Sequence, residues 1–285
     1  MNKNNPLKIF YDIETGRMQN YPNDFQVTFL AIFMHFIFST IFQNIAVNTT
    51  FQNQIYQNLF IIVTEILLLV VLLMISKELF YFKDEEKYNP SKKLSMKVLI
   101  YTIILVVALC AFINAICVLM LIYSNMSSII ESIRNILANN FTFGILYFCI
   151  IGPISEELIY RGVLLGSLLK KYTSSISIIL ATGLFSIMHF NMPQFIAALI
   201  LGTILGVLYT RFRSIILCSI VHSLYNSILV LVFHFDLALV KFKSQSIIGV
   251  SLPSILGLAI VFYMLKLLIK ESEKFKTYSE YSDFV

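Results

Sequence analysis

Residues 98–123 run without a single acidic or basic side chain. A helix crosses the hydrocarbon core of a bilayer in about 20 apolar residues, and an uninterrupted run of that length argues for a membrane span rather than a soluble core helix. The pattern recurs along the chain. Apolar spans are expected at 25–47, 55–82, 98–123, 141–169, 174–190, 194–211, 214–233 and 251–269, with Pro193 separating the fifth from the sixth. Charged residues make up 13% of the 285-residue chain and hydrophobic ones 58%, whereas soluble domains average about 25% charged. The expected fold class is therefore all-α, a polytopic transmembrane bundle of about eight helices.

The basic residues orient that bundle. Arg161 lies inside a span, and only Arg134, Lys241 and Lys243 fall in the odd-numbered connections, while all other Lys and Arg lie on the side of the termini. The positive-inside rule then predicts cytoplasmic N- and C-termini, and an even number of spans agrees with it. Residues 1–24 are polar and lack the short apolar core of a signal peptide, so the first span is expected to be retained. The net charge of +5 is spread over loops, which favours a role in membrane orientation and excludes a nucleic-acid-binding patch. Cys110, Cys117, Cys149 and Cys218 all fall in apolar spans at no metal-site spacing and read as small buried hydrophobes. Glu65, Asn114 and His35 read as isolated structural or interfacial groups.

The span 141–169 breaks the apolar rule with Glu156, Glu157 and Arg161. Each costs about 2.5–3.5 kcal/mol on insertion scales, while a Leu, Ile or Phe returns only about 0.3–0.6 kcal/mol. Charges kept at such expense are a functional-site hypothesis, with partners to be sought on neighbouring helices. Three spans offer pairs at i, i+4 spacing, which places both members on one helix face: Glu157 with Arg161, Phe185 with His189, and His222 with Asn226. Glu156 lies about 100° round its helix from Glu157 by the 3.6-residue period. A carboxylate and an imidazole that share a water can remove its proton. A second imidazole beside a carboxamide makes a donor pair suited to a developing oxyanion. Ser155 and Ser223 adjoin these motifs without an evident base, so the pattern reads as hydrolysis by activated water.

At these residues the chain resembles the CPBP family of intramembrane proteases, which includes CAAX prenyl endopeptidases and the bacterial Abi and bacteriocin-immunity proteins. The resemblance rests on Glu156-Glu157-x-x-x-Arg161-Gly162, Phe185-x-x-x-His189 and His222-x-x-x-Asn226, with Gly202-x-x-x-Gly206-x-x-Tyr209 as a close-packing helix face between them. Tyr160 departs from the Phe frequent before the Arg-Gly pair. The resemblance implies catalytic roles for four residues: Glu156 and His189 activate the water, and His222 and Asn226 stabilise the oxyanion. It implies that Glu157 and Arg161 structure the site. The resemblance covers roughly residues 141–229; together with the apolar spans and the Lys and Arg count, the expected organisation is a cytoplasmic segment at 1–24, accessory helices at 25–123, a CPBP-like catalytic core at 141–233, a last helix at 251–269 and a cytoplasmic tail at 270–285.

Two His and a Glu from three helices (His189, His222 and Glu156) are a conceivable Zn²⁺ set with an open position for water. There is no His-Glu-x-x-His helix, and the resemblance favours a mechanism with no cofactor. The implied substrate is a membrane-associated peptide or lipidated protein: a prenylated C-terminus, a pheromone precursor or a bacteriocin leader. The expected location is a bacterial plasma membrane. The rival readings are a non-catalytic immunity or regulatory protein of the same fold and a transporter or proton relay. The last lacks the paired broken helices that transporter repeats display.

Overall fold

The computed structural model describes residues 32–33, 37, 54–79, 95–123, 140–189, 192–234 and 247–280. His35, most of the expected first span and most of the charged connection before Ser95 lie outside these residues. All secondary structure among the described residues is helical. In chain order the helices are α1 (Gln54–Leu79), α2 (Met96–Tyr123), α3 (Phe141–Ile145), α4 (Gly152–Glu157), α5 (Gly166–Lys171), α6 (Ser174–Ile187), α7 (Met192–Phe212), α8 (Ile215–His234) and α9 (Ile247–Glu280). Two π-helical segments, Leu146–Ile151 and Leu158–Leu165, join α3, α4 and α5 into one continuous helical stretch.

Five of these stretches are long and apolar enough to cross a membrane: Met96–Ile113, Phe141–Leu169, Met192–Phe212, Ile215–Val232 and Leu252–Glu273. Tyr56–Val70 and Ser174–Ile187 are shorter apolar helices. An integral membrane protein of all-helical class follows. Among the described residues five candidate spans stand where about eight were expected, and the remainder of that expectation falls on the two short helices and on residues 25–47.

Local chemistry sets several of the helix ends. The Asn140 side chain accepts from the Phe143 N–H at 3.1 Å, and the Ser95 hydroxyl accepts from the Val98 N–H at 3.3 Å. Such caps satisfy donors that the first turn of a helix leaves bare. Between α7 and α8 the chain turns in two residues. Arg213 takes the left-handed conformation, with φ of 51°, and its N–H bonds the Tyr209 carbonyl at 2.8 Å. Ser214 then caps α8 by accepting from the Leu217 N–H at 3.1 Å.

The chain forms two compact units, Met1–Tyr88 with Ser155–Ser177, and Asn89–Ile154 with Ile178–Val285. In the first, every residue of the π-helical segment Leu158–Leu165 is buried. Helix α1 buries Glu65 and Leu69, one turn apart, and exposes Leu59, Val63, Ile66 and Leu67, an apolar surface suited to hydrocarbon rather than water.

In the second unit α2 packs against α7, α8 and, most extensively, α9. Gly257 makes the α2–α9 approach possible: a Cβ there would stand 2.8 Å from the Ala108 carbonyl oxygen and 3.2 Å from the Phe112 nitrogen. Gly206 of α7 is also closely covered, but by the side chain of Ile178, whose Cγ2 would lie 2.9 Å from an added Cβ. A side-chain tip can move where a helix backbone cannot. Gly257→Ala is therefore expected to destabilise the protein by about 1–3 kcal/mol, as overpacking does, and Gly206→Ala by clearly less. Thermal unfolding of the two variants in one detergent checks the order, and equal losses would contradict it. Cys110, Cys149 and Cys218 are buried, and the thiols of Cys110 and Cys218 face the carbonyls of Tyr225 and Leu205.

Candidate functional site

The first unit holds the acidic motif. Glu157 closes α4 and Arg161 lies one turn on, inside the π-helical segment. The Arg161 Nη1 donates to the Glu157 Oε1 at 2.7 Å, with side chains 2% and 0% exposed. That is a charge-assisted bond at the short end of its range. Burying either charge alone would cost several kcal/mol on the order of magnitude known for single ions, and pairing makes the burial tolerable. Glu156 precedes the pair and is only partly buried, whereas Ser155 is buried. The i, i+4 spacing does bring Glu157 and Arg161 together, and it leaves Glu156 on a different side of the helix.

The second unit holds both imidazoles. Phe185, 1% exposed, touches each of them. Its ring centroid is 5.0 Å from His189 at 84° and 5.9 Å from His222 at 86°, both edge-to-face contacts. His222 is 3% exposed on α8.

The position of His189 follows from where α6 stops. The helix ends at Ile187, and the His189 N–H turns back to the Ser186 carbonyl at 3.2 Å. A continued α-helix would have given that N–H to the Phe185 carbonyl. The His189 ring takes the vacated place, with Nδ1 3.0 Å from the Phe185 oxygen. A carbonyl only accepts, so Nδ1 carries the proton. In the neutral ring Nε2 is then the lone-pair nitrogen, the state in which an imidazole accepts a proton.

Asn226 lies one turn beyond His222 on α8. Its Nδ2 donates to the carbonyl of Phe148 at 2.9 Å, a contact with the π-helical segment Leu146–Ile151. The structure thus brings His189 and His222 together on Phe185 and sets Asn226 against Phe148. The carbonyls of Phe185 and Phe148 were not singled out in the sequence, where backbone groups carry no label. Among the described residues no three of His, Cys, Asp or Glu gather into a set that could hold a metal ion.

Helices apolar enough to cross a membrane, with paired carboxylates in one compact unit and two imidazoles and a carboxamide in the other, define the class of integral, all-helical membrane proteins that carry ionisable groups in or beside their apolar helices. Residues 138–228 match the family model described as Rce1-like, type II CAAX prenyl endopeptidase. The matched segment contains Glu156, Glu157, Arg161, His189, His222 and Asn226. The match supports the CPBP family of intramembrane proteases and, in general terms, a CAAX-type protease in the membrane. Comparisons with curated proteins and with solved structures gave no match.

Proposed function

We propose that the chain is an intramembrane endopeptidase that hydrolyses a peptide bond near or within the bilayer. The observation that carries this reading is a family match spanning all six motif residues at once. Glu156 and His189 withdraw a proton from water, whose oxygen bonds to the scissile carbonyl carbon. The carbonyl oxygen becomes an oxyanion, stabilised by N–H donors of His222 and Asn226. The C–N bond then breaks as the proton is delivered to the leaving amine. The Glu157–Arg161 pair holds the acidic turn in shape. The mechanism needs no metal, and the substrate is a prenylated protein, a peptide pheromone or a bacteriocin precursor. Both termini face the cytoplasm of a bacterial plasma membrane.

The test is hydrolysis of a library of quenched, membrane-associated peptides by the full chain in nanodiscs, with and without a chelator. Cleavage that a chelator leaves at the untreated rate is expected. Loss of cleavage with chelator, restored by Zn²⁺, would overturn the metal-free mechanism. Absence of cleavage of every peptide would favour the alternative, a non-catalytic immunity or regulatory protein of the same fold.

A further inference from the structure

Pro153 lies within the helical stretch from Phe141 to Lys171 and is the one residue there that has no backbone N–H. Its effect falls on Phe148. In an α-helix the Phe148 carbonyl would accept from the N–H of residue 152. Here the chain is π-helical from Leu146 to Ile151, and the Gly152 N–H reaches one residue further back, to the Tyr147 carbonyl. In that five-residue register the donor to Phe148 would be residue 153, and residue 153 is proline. Both helical donors are gone.

The two features belong together. A proline ring in an α-helix clashes with the carbonyl four residues before it, and a wider turn takes up that clash. Gly152 tolerates the wider turn because it lacks a Cβ, which would stand 3.0 Å from the Tyr147 oxygen. The Gly152-Pro153 pair thus leaves the Phe148 carbonyl without either helical donor inside an apolar span, where an unsatisfied carbonyl is costly. Asn226, 78 residues away in sequence, supplies the donor at 2.9 Å.

That bond fixes more than a contact. A carbonyl only accepts, so the nitrogen of the Asn226 carboxamide faces Phe148 and its oxygen is turned away. The amide nitrogen carries two N–H bonds in one plane, so committing one sets the direction of the other. We propose that Pro153 is a positioning residue for Asn226: by withholding an N–H it keeps the Phe148 carbonyl as the bearing that orients the carboxamide. The consequence for rate rests on the role proposed above for Asn226 at the oxyanion.

Pro153→Ala returns an N–H that competes for the Phe148 carbonyl. In the full chain in nanodiscs it is expected to lower kcat by about tenfold, below the 10²–10³ typical of deleting an oxyanion donor, and to leave KM unchanged. Placing lactic acid instead of alanine at residue 153 removes both the ring and the N–H, and is expected to keep the kcat of the unmodified chain. The side-chain amide of Asn226, followed by NMR in ¹⁵N-asparagine-labelled protein and identified by its loss in Asn226→Asp, should shift in Pro153→Ala and not in the ester analogue. An unmoved amide signal in Pro153→Ala overturns the proposal, as does an ester analogue that behaves like Pro153→Ala. A shifted amide with unchanged kcat upholds the orienting bond and overturns the oxyanion role, so the two readings fail separately.

Discussion

Glu156→Gln is expected to abolish measurable peptide hydrolysis, lowering kcat by about 10²–10⁴-fold, the range that a positioned general base contributes. The substitution keeps the side chain's size and hydrogen-bonding reach and removes only its capacity to take a proton. Glu156 is the partly buried member of the acidic pair, while Glu157 is fully buried and bound to Arg161, so the two glutamates should separate experimentally. His189→Ala should fall to the same floor. If the two residues act on one water, the double variant will be no slower than either single one, because groups that work as a unit are not additive. Initial rates on a peptide that the unmodified chain cleaves check this. A Glu156→Gln protein that retains its rate would sink the water-activation mechanism, and retained cellular function without cleavage would favour the binding reading.

Arg161→Met should produce the largest loss of stability of any single change in the acidic motif. It leaves the Glu157 carboxylate buried without the guanidinium that now donates to it at 2.7 Å. Breaking a buried pair from one side costs about 3–5 kcal/mol, whereas replacing both partners with apolar groups of similar volume is often neutral. The double variant Arg161→Met, Glu157→Leu should therefore recover most of the stability lost in the single one. Thermal unfolding in detergent, read as a double-mutant cycle, gives the coupling. A single variant as stable as the starting protein would mean that the pair holds nothing together. Activity should follow stability in Arg161→Met, in contrast to Glu156→Gln, which should be inactive and fully folded.

The i, i+4 spacing of Glu157 and Arg161 was enough to pair them, because residues one turn apart share a face wherever the helix is placed. The same spacing put the rings of Phe185 and His189 in contact, yet it concealed why. His189 lies past the end of α6, and its ring is held by a carbonyl left open when the helix stops. The regular 3.6-residue period also gave no hint of the π-helical segments on either side of Gly152–Glu157. Pro153 was visible, and so was Asn226, but nothing in the spacing joined them. Nor did the glycine pattern at Gly202 and Gly206 single out Gly257, where an added Cβ would stand 2.8 Å from the Ala108 carbonyl oxygen of a neighbouring helix.

Hydropathy and motif order by themselves pointed to a helical protein in a membrane, with Glu156, Glu157 and Arg161 as the cluster of charges inside an apolar run. Those conclusions rest on local rules: the length of an apolar run, the cost of a charge in it, and the rise of a helix. Which faces pack was left to the tertiary structure. Helix α2 shows the reason. It buries Val98, Leu105, Leu109 and Ile113 and exposes Ile100, Ile103, Ile104 and Val107. Both stripes are apolar. In water a polar face would have marked the outside of the helix, but in hydrocarbon the outside is as apolar as the core. The partners of α2, the meeting of two imidazoles on Phe185 and the reach of Asn226 to Phe148 were therefore decided only when the helices packed.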